Sequence, residues 1–417
     1  MANVLVGHFL SNTVTGDQDV LGIGFEPKAV IFFNANDAAG VNFLTNEGAA
    51  FRGIADTGLE YASGILKAQT SVTTVQASRY IGFVNAAIQS WTVPSPVPVV
   101  QSHQASLVTF LPDGFRINWS LTSVTPMAVG YMVFGQDFSV QASSLILPNA
   151  GPTSMTGLPF MPTAAFSPGT EISLTGNSQT DAFAMAFLDA TTLMGNAVAI
   201  TQNRDGAGRK IQSETTYPAF INTSAGVAQY DIQLDSINAD GFTVSDAGGS
   251  SGPPPAVPAP FLMFGNIPAV VGAFNSRTTL GTLVISGLPF QPSCLMFSSV
   301  GPNTGGAAIT TCQTSFGVCD AALNQRSVSQ YVFQTSNPAR PSAFFSTTDA
   351  FVQTFSTSAG TRSNTHVANV SAINPDGFDL LFTATNATVQ RGLYLAMGEP
   401  VASAAAAKRL MMMGMGA

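Results

Sequence analysis

The sequence predicts an all-β protein of three tandem β-sandwich-like domains, each about 130 residues long, followed by a short C-terminal tail. Three observations support this fold class. Only 9% of the 417 residues are charged and 45% are hydrophobic, whereas helical bundles draw about half of their residues from Ala, Glu, Lys, Leu and Arg. Three short motifs recur in the same order three times. Around one of them apolar and polar residues alternate, which is typical of half-buried strands.

The first motif is a Phe-x-Pro core that precedes an apolar run. It occupies residues 24–32, 157–166 and 287–297, and its phenylalanines are Phe25, Phe160 and Phe290. A proline at the start of a strand removes no ladder hydrogen bond. The motif therefore predicts the beginning of a buried strand in each copy.

The second motif is Asp-Gly-Phe, which lies between two alternating segments in each copy. Its members are Asp113, Gly114, Phe115, Asp240, Gly241, Phe242, Asp376, Gly377 and Phe378. An Asp-Gly between two strands predicts a β-hairpin with a type I′ turn, because both central residues of that turn need positive φ. These nine residues are the predicted structural turns of the repeat.

The third motif is an aromatic-apolar run into glycine, at residues 131–135, 261–265 and 394–398, which predicts a further buried strand. A weaker match between 51–56, 183–189 and 316–320 ends on an aspartate each time. The predicted domains are 1–137, 138–267 and 268–400, closely packed, each with its own core. One short helix is expected between residues 56 and 68. The Ala- and Met-rich segment 401–417 is a helix, a docking segment or a frayed terminus.

Charge, targeting and cysteine content narrow the class of protein. The formal charge of −8 leaves little to neutralise phosphates, so no nucleic-acid partner is expected. The N-terminal residues lack a signal-peptide pattern, and no long apolar run predicts a membrane helix. Cys294, Cys312 and Cys319 are interpreted as buried thiols, with a Cys312–Cys319 disulfide as the alternative.

No arrangement of residues predicts catalysis. The Gly-x-Ser-x-Gly at 248–252 runs into three prolines, which cannot form the helix that a nucleophile elbow needs. The Asp-Thr-Gly at 56–58 has no second copy, although aspartic proteases use two. His8, His103 and His366 are isolated in sequence. We therefore expect no enzyme activity, no metal and no cofactor; paired carboxylates of a glycan-cleaving depolymerase are the less favoured alternative.

One loop is a candidate for contacts with a partner. Trp91 precedes a stiff segment that contains Pro94, Pro96 and Pro98. An aromatic side chain beside such a segment could stack on a sugar or dock on a protein. The alternative is an extended edge segment that packs on its own domain.

The motifs together resemble repeats found in virion structural proteins of tailed bacteriophages, often labelled tail proteins. The first copy matches best at residues 24–32 and the third at 376–378 and 394–398, whereas the second has Thr163 in place of Lys28 and a proline-rich insertion. The resemblance covers nearly the whole chain and implies a non-enzymatic virion component in the tail, baseplate or fibre. It is expected to assemble in the host cytoplasm as a homo-oligomer with other virion proteins, with host-surface glycan as a further candidate partner.

The main alternative is a capsid decoration protein or head fibre. Three similar domains in one chain could imitate a trimer around a pseudo-threefold axis. Identical chains could instead trimerise into a short fibre.

Overall fold

The protein was examined as a computed structural model, and its secondary structure consists of β-strands wherever the chain is described. The described residues are 3–35, 47–69, 75–76, 86–92, 100–147, 151–171, 180–190, 192–201, 209–214, 219–222, 228–246, 257–301, 311–333, 340–356 and 362–400. They form thirty strands and no helix. The prediction of an all-β fold is confirmed.

The thirty strands fall into three sets of ten. The first set is β1 Val4–Leu10, β2 Gly16–Leu21, β3 Ala29–Ala35, β4 Glu47–Asp56, β5 Glu60–Gln69, β6 Val75–Gln76, β7 Ile88–Thr92, β8 Val100–Leu111, β9 Gly114–Leu121 and β10 Ala128–Phe134. The second is β11 Ser139–Leu147, β12 Thr153–Met155, β13 Pro162–Glu171, β14 Thr180–Asp189, β15 Leu193–Thr201, β16 Arg209–Glu214, β17 Ala219–Asn222, β18 Ala228–Asn238, β19 Gly241–Asp246 and β20 Val257–Gly265. The third is β21 Ala269–Asn275, β22 Gly281–Ser286, β23 Phe290–Gly301, β24 Thr311–Asp320, β25 Gln325–Phe333, β26 Arg340–Ser346, β27 Phe351–Ser356, β28 Arg362–Asn374, β29 Gly377–Ala384 and β30 Arg391–Pro400.

Each set builds one six-stranded and one four-stranded antiparallel sheet. In the first set the strand orders are β1-β10-β3-β4-β5-β6 and β2-β9-β8-β7, and both orders return in the other sets with labels ten and twenty higher. We call the sets repeats 1, 2 and 3. Their strands lie inside the predicted limits 1–137, 138–267 and 268–400; that each repeat folds alone stays a prediction.

Burial explains why the recurring motifs form strands. All seven residues of β3, which follows the first motif, are buried, as are all seven of β10, which carries the third motif. Both strands are central in their sheet, and their two faces enter different hydrophobic cores, as Phe32 and Phe33 show for β3. In β9 buried and partly buried residues alternate over 115–119, because one face of the four-stranded sheet meets solvent.

The Asp-Gly-Phe motifs do lie at hairpins, but the predicted type I′ turn is wrong. The two residues between β8 and β9 are Pro112 and Asp113, and Leu111 pairs with Gly114, which already belongs to the strand. Proline fixes φ near −65°, which a type I′ position cannot accept. Gly114 is required for another reason: a Cβ there would lie 1.9 Å from the carbonyl oxygen of Val20 on the neighbouring strand.

The other two hairpins show the same close approach. A Cβ on Gly241 would lie 1.8 Å from the carbonyl oxygen of Met155, and one on Gly377 would lie 1.9 Å from that of Ile285. The glycine of this motif therefore lets two backbones meet.

The predicted short helix between residues 56 and 68 is wrong. β4 ends at Asp56, and after a turn β5 runs antiparallel to it, with Tyr61 opposite Ile54. Ala62 and Ser63 are buried on successive positions, because β5 contacts β7 of the other sheet as well as β13 and β26 of the other repeats. Tertiary packing overrides a weak helical pattern here.

Within the described residues, hydrophobic side chains form four cores rather than three. Three of them lie between the two sheets of a single repeat. The fourth collects the opposite faces of all three six-stranded sheets. The repeats therefore share a central core, which sequence analysis did not predict.

The cysteine alternatives are decided by strand β24. Cys312 and Cys319 lie on this one strand, seven residues apart, a separation of about 23 Å at about 3.3 Å per residue. A disulfide needs Cα atoms within about 7 Å, so the Cys312–Cys319 link is wrong. Cys294 and Cys319 are buried free thiols, and burial raises the pKa of both well above the ordinary thiol value.

Candidate functional site: the junctions between repeats

The three repeats form a ring that is closed by one carboxylate at each junction. Asp56, Asp189 and Asp320 occupy the same place, at the end of the fourth strand of their repeats. In each case Oδ2 accepts a hydrogen bond from a backbone N–H on the first strand of the next repeat. The pairs are Ala142 N to Asp56 at 2.7 Å, Val271 N to Asp189 at 2.7 Å and Val6 N to Asp320 at 2.9 Å.

The last of these three bonds joins repeat 3 to repeat 1. Head-to-tail contacts of one kind either close into a ring or continue as a filament. Here the third contact returns to the first repeat, so the contacts close at three. The chain is a pseudo-threefold ring.

The second carboxylate oxygen of each aspartate holds the turn that follows it. Oδ1 of Asp56 accepts N–H from Gly58 and Leu59, both at 2.7 Å. Oδ1 of Asp320 accepts N–H from Ala322 and Asn324, both at 2.9 Å. Each carboxylate thus binds both its own turn and the neighbouring repeat. The Asp-Thr-Gly at 56–58 therefore forms part of the junction between repeats 1 and 2.

A second contact lies beside Asp56 and Asp320, with different chemistry at the two junctions. In the first junction Tyr61 Oη lies 3.1 Å from Ser144 Oγ. In the third, Arg326 Nε donates to Nδ1 of His8 at 3.2 Å. Tyr61 and Arg326 are equivalent, since each faces the residue two before the aspartate on the adjacent strand. Junctions with the same backbone have therefore acquired different side chains.

Aromatic contacts join the repeats at the central core. Phe134 of repeat 1 meets Phe264 of repeat 2 edge-on at 4.8 Å between ring centroids. Phe316 of repeat 3 stacks on Phe166 of repeat 2 at 5.1 Å and meets Phe33 of repeat 1 at 5.5 Å. Such pairs add to the energy of burial.

Arg52 is the charged member of this core. It is 1% exposed, its guanidinium carbon lies 5.6 Å from the ring centroid of Phe316, and desolvation lowers its pKa to about 9. Its equivalents in the other repeats, counted back from the aspartates, are Met185 and Phe316. A cation over a ring face at this distance is a favourable arrangement.

The Asp-Gly-Phe residues connect the other two motifs. Oδ1 of Asp113 accepts N–H from Gly24 of the first motif, and Oδ2 of Asp240 accepts N–H from Gly157 at 3.1 Å. The phenylalanine meets the first aromatic residue of the third motif edge-on in every copy. These pairs are Phe115–Tyr131 at 5.4 Å, Phe242–Phe261 at 5.4 Å and Phe378–Tyr394 at 5.3 Å. The three motifs recur together because they touch each other.

The candidate contact loop is described only at its first residue. Trp91 lies on β7, is partly buried, and its indole Nε1 is 3.4 Å from Oε1 of Gln89. Pro94, Pro96 and Pro98 lie outside the described residues, as does the Gly-x-Ser-x-Gly at 248–252 and the tail 401–417. Binding of a sugar or protein by this loop stays a prediction.

A surface cavity lies at the first junction. It has a volume of about 490 Å³ and is bordered by Glu26, Lys28 and Asp56 together with the apolar Leu59 and Phe110. The ammonium of Lys28 donates to the backbone carbonyl of Gln136 at 3.2 Å.

The histidines do not converge. His103 and His366 are buried at equivalent positions, each ten residues before the aspartate of its Asp-Gly-Phe, in repeats 1 and 3. Desolvation lowers the pKa of both, that of His366 to about 4. Within the described ranges no group of three His, Cys, Asp or Glu side chains could hold a metal ion.

No family model matches the sequence, and no curated protein matches it. In the described part of the chain, no helix is long and apolar enough to cross a membrane.

Sequence analysis missed the closing aspartates as a functional set. Their signal was the weak match between 51–56, 183–189 and 316–320, whose last residues are Asp56, Asp189 and Asp320. The sequence shows that the same residue type recurs at this position in all three copies. It does not show that each carboxylate binds the next repeat, because that contact depends on how the copies are arranged in space.

Proposed function

We propose that this chain is a non-enzymatic structural component of a tailed-phage particle, which acts through protein–protein contacts. The resemblance of its repeats supplies the viral class. The geometry that supports a structural role is the ring of aspartate contacts, in which Asp56, Asp189 and Asp320 are all engaged by backbone N–H groups. These three aspartates therefore hold neighbouring repeats together.

The closed ring favours one position within such a particle. A homotrimer presents three identical faces, and a single chain with the same ring presents three that can differ. Repeat 1 carries an Arg116–Asp19 ion pair on its outer sheet, whereas repeat 3 has Asp379 and the exposed Val284 at the corresponding places. A fused trimer with unlike faces suits a threefold position whose neighbours are not identical.

This argument gives weight to the second candidate, a capsid decoration protein at a threefold lattice site. A trimeric tail fibre of identical chains would need contact surfaces that are still free to bind a second chain. In this ring the head-to-tail contact is already used three times within one chain. A tail or baseplate position remains open to a single-chain adaptor. Weak contacts repeated over many copies are sufficient in either place.

Labelling of native particles tests the proposal. Antibodies raised against the recombinant chain should decorate intact virions in negative-stain micrographs, on the head for decoration and on the tail for a baseplate or fibre part. Purified virions that carry no label and no band of 43.1 kDa, from a lysate that contains the chain, would refute the virion assignment. Release of reducing sugar from host capsule by the purified chain would refute the non-enzymatic part.

A further inference from the structure

The junction between repeats 3 and 1 differs from the other two in how it is held. Short segments of chain, 135–138 and 266–268, lead directly from β10 into β11 and from β20 into β21. β1 pairs with β10 alone at the edge of its sheet, and its link to repeat 3 is made by side chains. The junction between repeats 3 and 1 is therefore a seam that no short connecting segment of the chain holds together.

At this seam the second contact depends on protonation. Nδ1 of His8 accepts the hydrogen bond from Arg326 Nε, so the imidazole must be neutral. A protonated His8 would lose the acceptor and would place a second cation 3.2 Å from Arg326. The equivalent contact in the first junction, between Tyr61 and Ser144, joins two hydroxyl groups and involves no histidine.

The surroundings of His8 do not relieve this conflict. Arg326 is fixed from its other side, because Nη1 donates to the backbone carbonyls of Gln325 at 2.6 Å and Thr347 at 2.5 Å. The other titratable groups here are Tyr131 on β10 and Asp320 on β24. Oδ2 of Asp320 is already bound to Val6 N–H, and the Tyr131 phenol is neutral below its raised pKa.

We propose that the seam between repeats 3 and 1 is an acid-sensitive closure of the ring, which loosens when His8 is protonated. Burial, and then the charge of Arg326, lower the pKa of His8 in the closed ring. A base whose pKa is lowered binds its proton more readily in the open state. The closed seam is therefore fully stable above about pH 6.5 and weakens as pH falls below that value.

The pH dependence of seam opening is determined by the difference in His8 pKa between the open and closed states and by how far solvent screens the repulsion from Arg326. A histidine of pKa about 6.5 that titrated only in the open state would favour opening about 30-fold at pH 5. More than a third of His8 is exposed, so water and salt screen the repulsion. We expect about a five-fold change, smaller at high ionic strength.

Hydrogen exchange on the full chain tests this, because the molecule contains its own controls. Strands β11 and β21 occupy the place of β1 in the other two junctions. After correction for intrinsic exchange rates, protection of the Val6 N–H should fall about five-fold between pH 7.5 and pH 5 relative to the N–H groups of Ala142 and Val271, which bind the equivalent aspartates. Global unfolding would lower all three equally and cancel in the ratio.

Two variants separate His8 from the other histidines. His8→Gln keeps an acceptor but does not titrate, and it should hold the ratio constant over the whole pH range. His366→Gln removes a buried histidine elsewhere and should leave the fall in the ratio unchanged. A wild-type ratio that does not move with pH, or one that falls equally in His8→Gln, would overturn the proposal.

Discussion

Replacing Asp320 by asparagine removes the closing contact of the ring with little change in side-chain volume. Asp320 is 1% exposed and Val6, whose N–H it binds, is 3% exposed. If the remaining amide oxygen keeps the turn, the new NH₂ group faces the N–H of Val6 and Nδ2 of Asn324, both of which are donors.

The magnitude follows from these contacts. Leaving a buried N–H without an acceptor costs about 1–3 kcal/mol, and hydrogen bonds to a charged group are worth about 1.5–3 kcal/mol. Allowing for overlap between the two, Asp320→Asn should lower the free energy of unfolding by about 2–4 kcal/mol. Denaturant unfolding at pH 7 measures the change.

A surface aspartate provides the matched control. Asp235 is exposed and bonds to Ser245 in the same repeat, so Asp235→Asn should stay within about 0.5 kcal/mol of the wild type. If Asp320→Asn is as stable as this control, the carboxylate does not hold the ring. The same reasoning predicts losses of similar sign for Asp56→Asn and Asp189→Asn.

Three further predictions address packing and pH. Gly114→Ala should destabilise the protein by more than about 2 kcal/mol, because its Cβ would lie 1.9 Å from Val20 O; Gly58→Ala, whose nearest atom is at 3.6 Å, is the control in the same thermal melt. Phe316→Ala should cost about 3–5 kcal/mol, since it joins all three repeats; a loss under about 1 kcal/mol would argue against a shared core. Burial lowers the pKa of His366 to about 4, so the unfolded chain binds a proton at this histidine before the folded chain does. The free energy of unfolding should therefore fall by about 3 kcal/mol as pH drops from 6.5 to 4. His366→Gln should remove that part of the pH dependence, and an unchanged pH profile of stability would contradict the argument.

The sequence predicted the fold class and the repeat because both depend on local signals. Alternation around Asp113 and the buried run at 131–135 are properties of neighbouring residues, and each of them forms the predicted strands. The error at the hairpin was also local. Asp-Gly fits a type I′ turn, but the turn lies one residue earlier, at Pro112–Asp113 in the first copy and Ala239–Asp240 in the second. The glycine belongs to the following strand, where it allows close approach to a neighbouring strand.

The sequence raised a pseudo-threefold arrangement only as an alternative, because the contacts that close the ring could not be predicted from it. Its contacts join residues that are far apart, up to 314 positions between Val6 and Asp320. The side chains at equivalent places also differ, as with Arg52 and Phe316, so the repeat that reveals the fold does not reveal the shared core. His103 and His366 are equivalent residues, since each lies ten positions before the aspartate of its Asp-Gly-Phe motif.

Small-angle scattering on the purified chain tests the closed ring most directly. A compact protein of 417 residues has a radius of gyration of about 22 Å, whereas three such domains in a row would give about 33 Å. The ring predicts the smaller radius for a particle with the mass of one chain, 43.1 kDa. A monomer near 33 Å, or a particle of three chains, would contradict it.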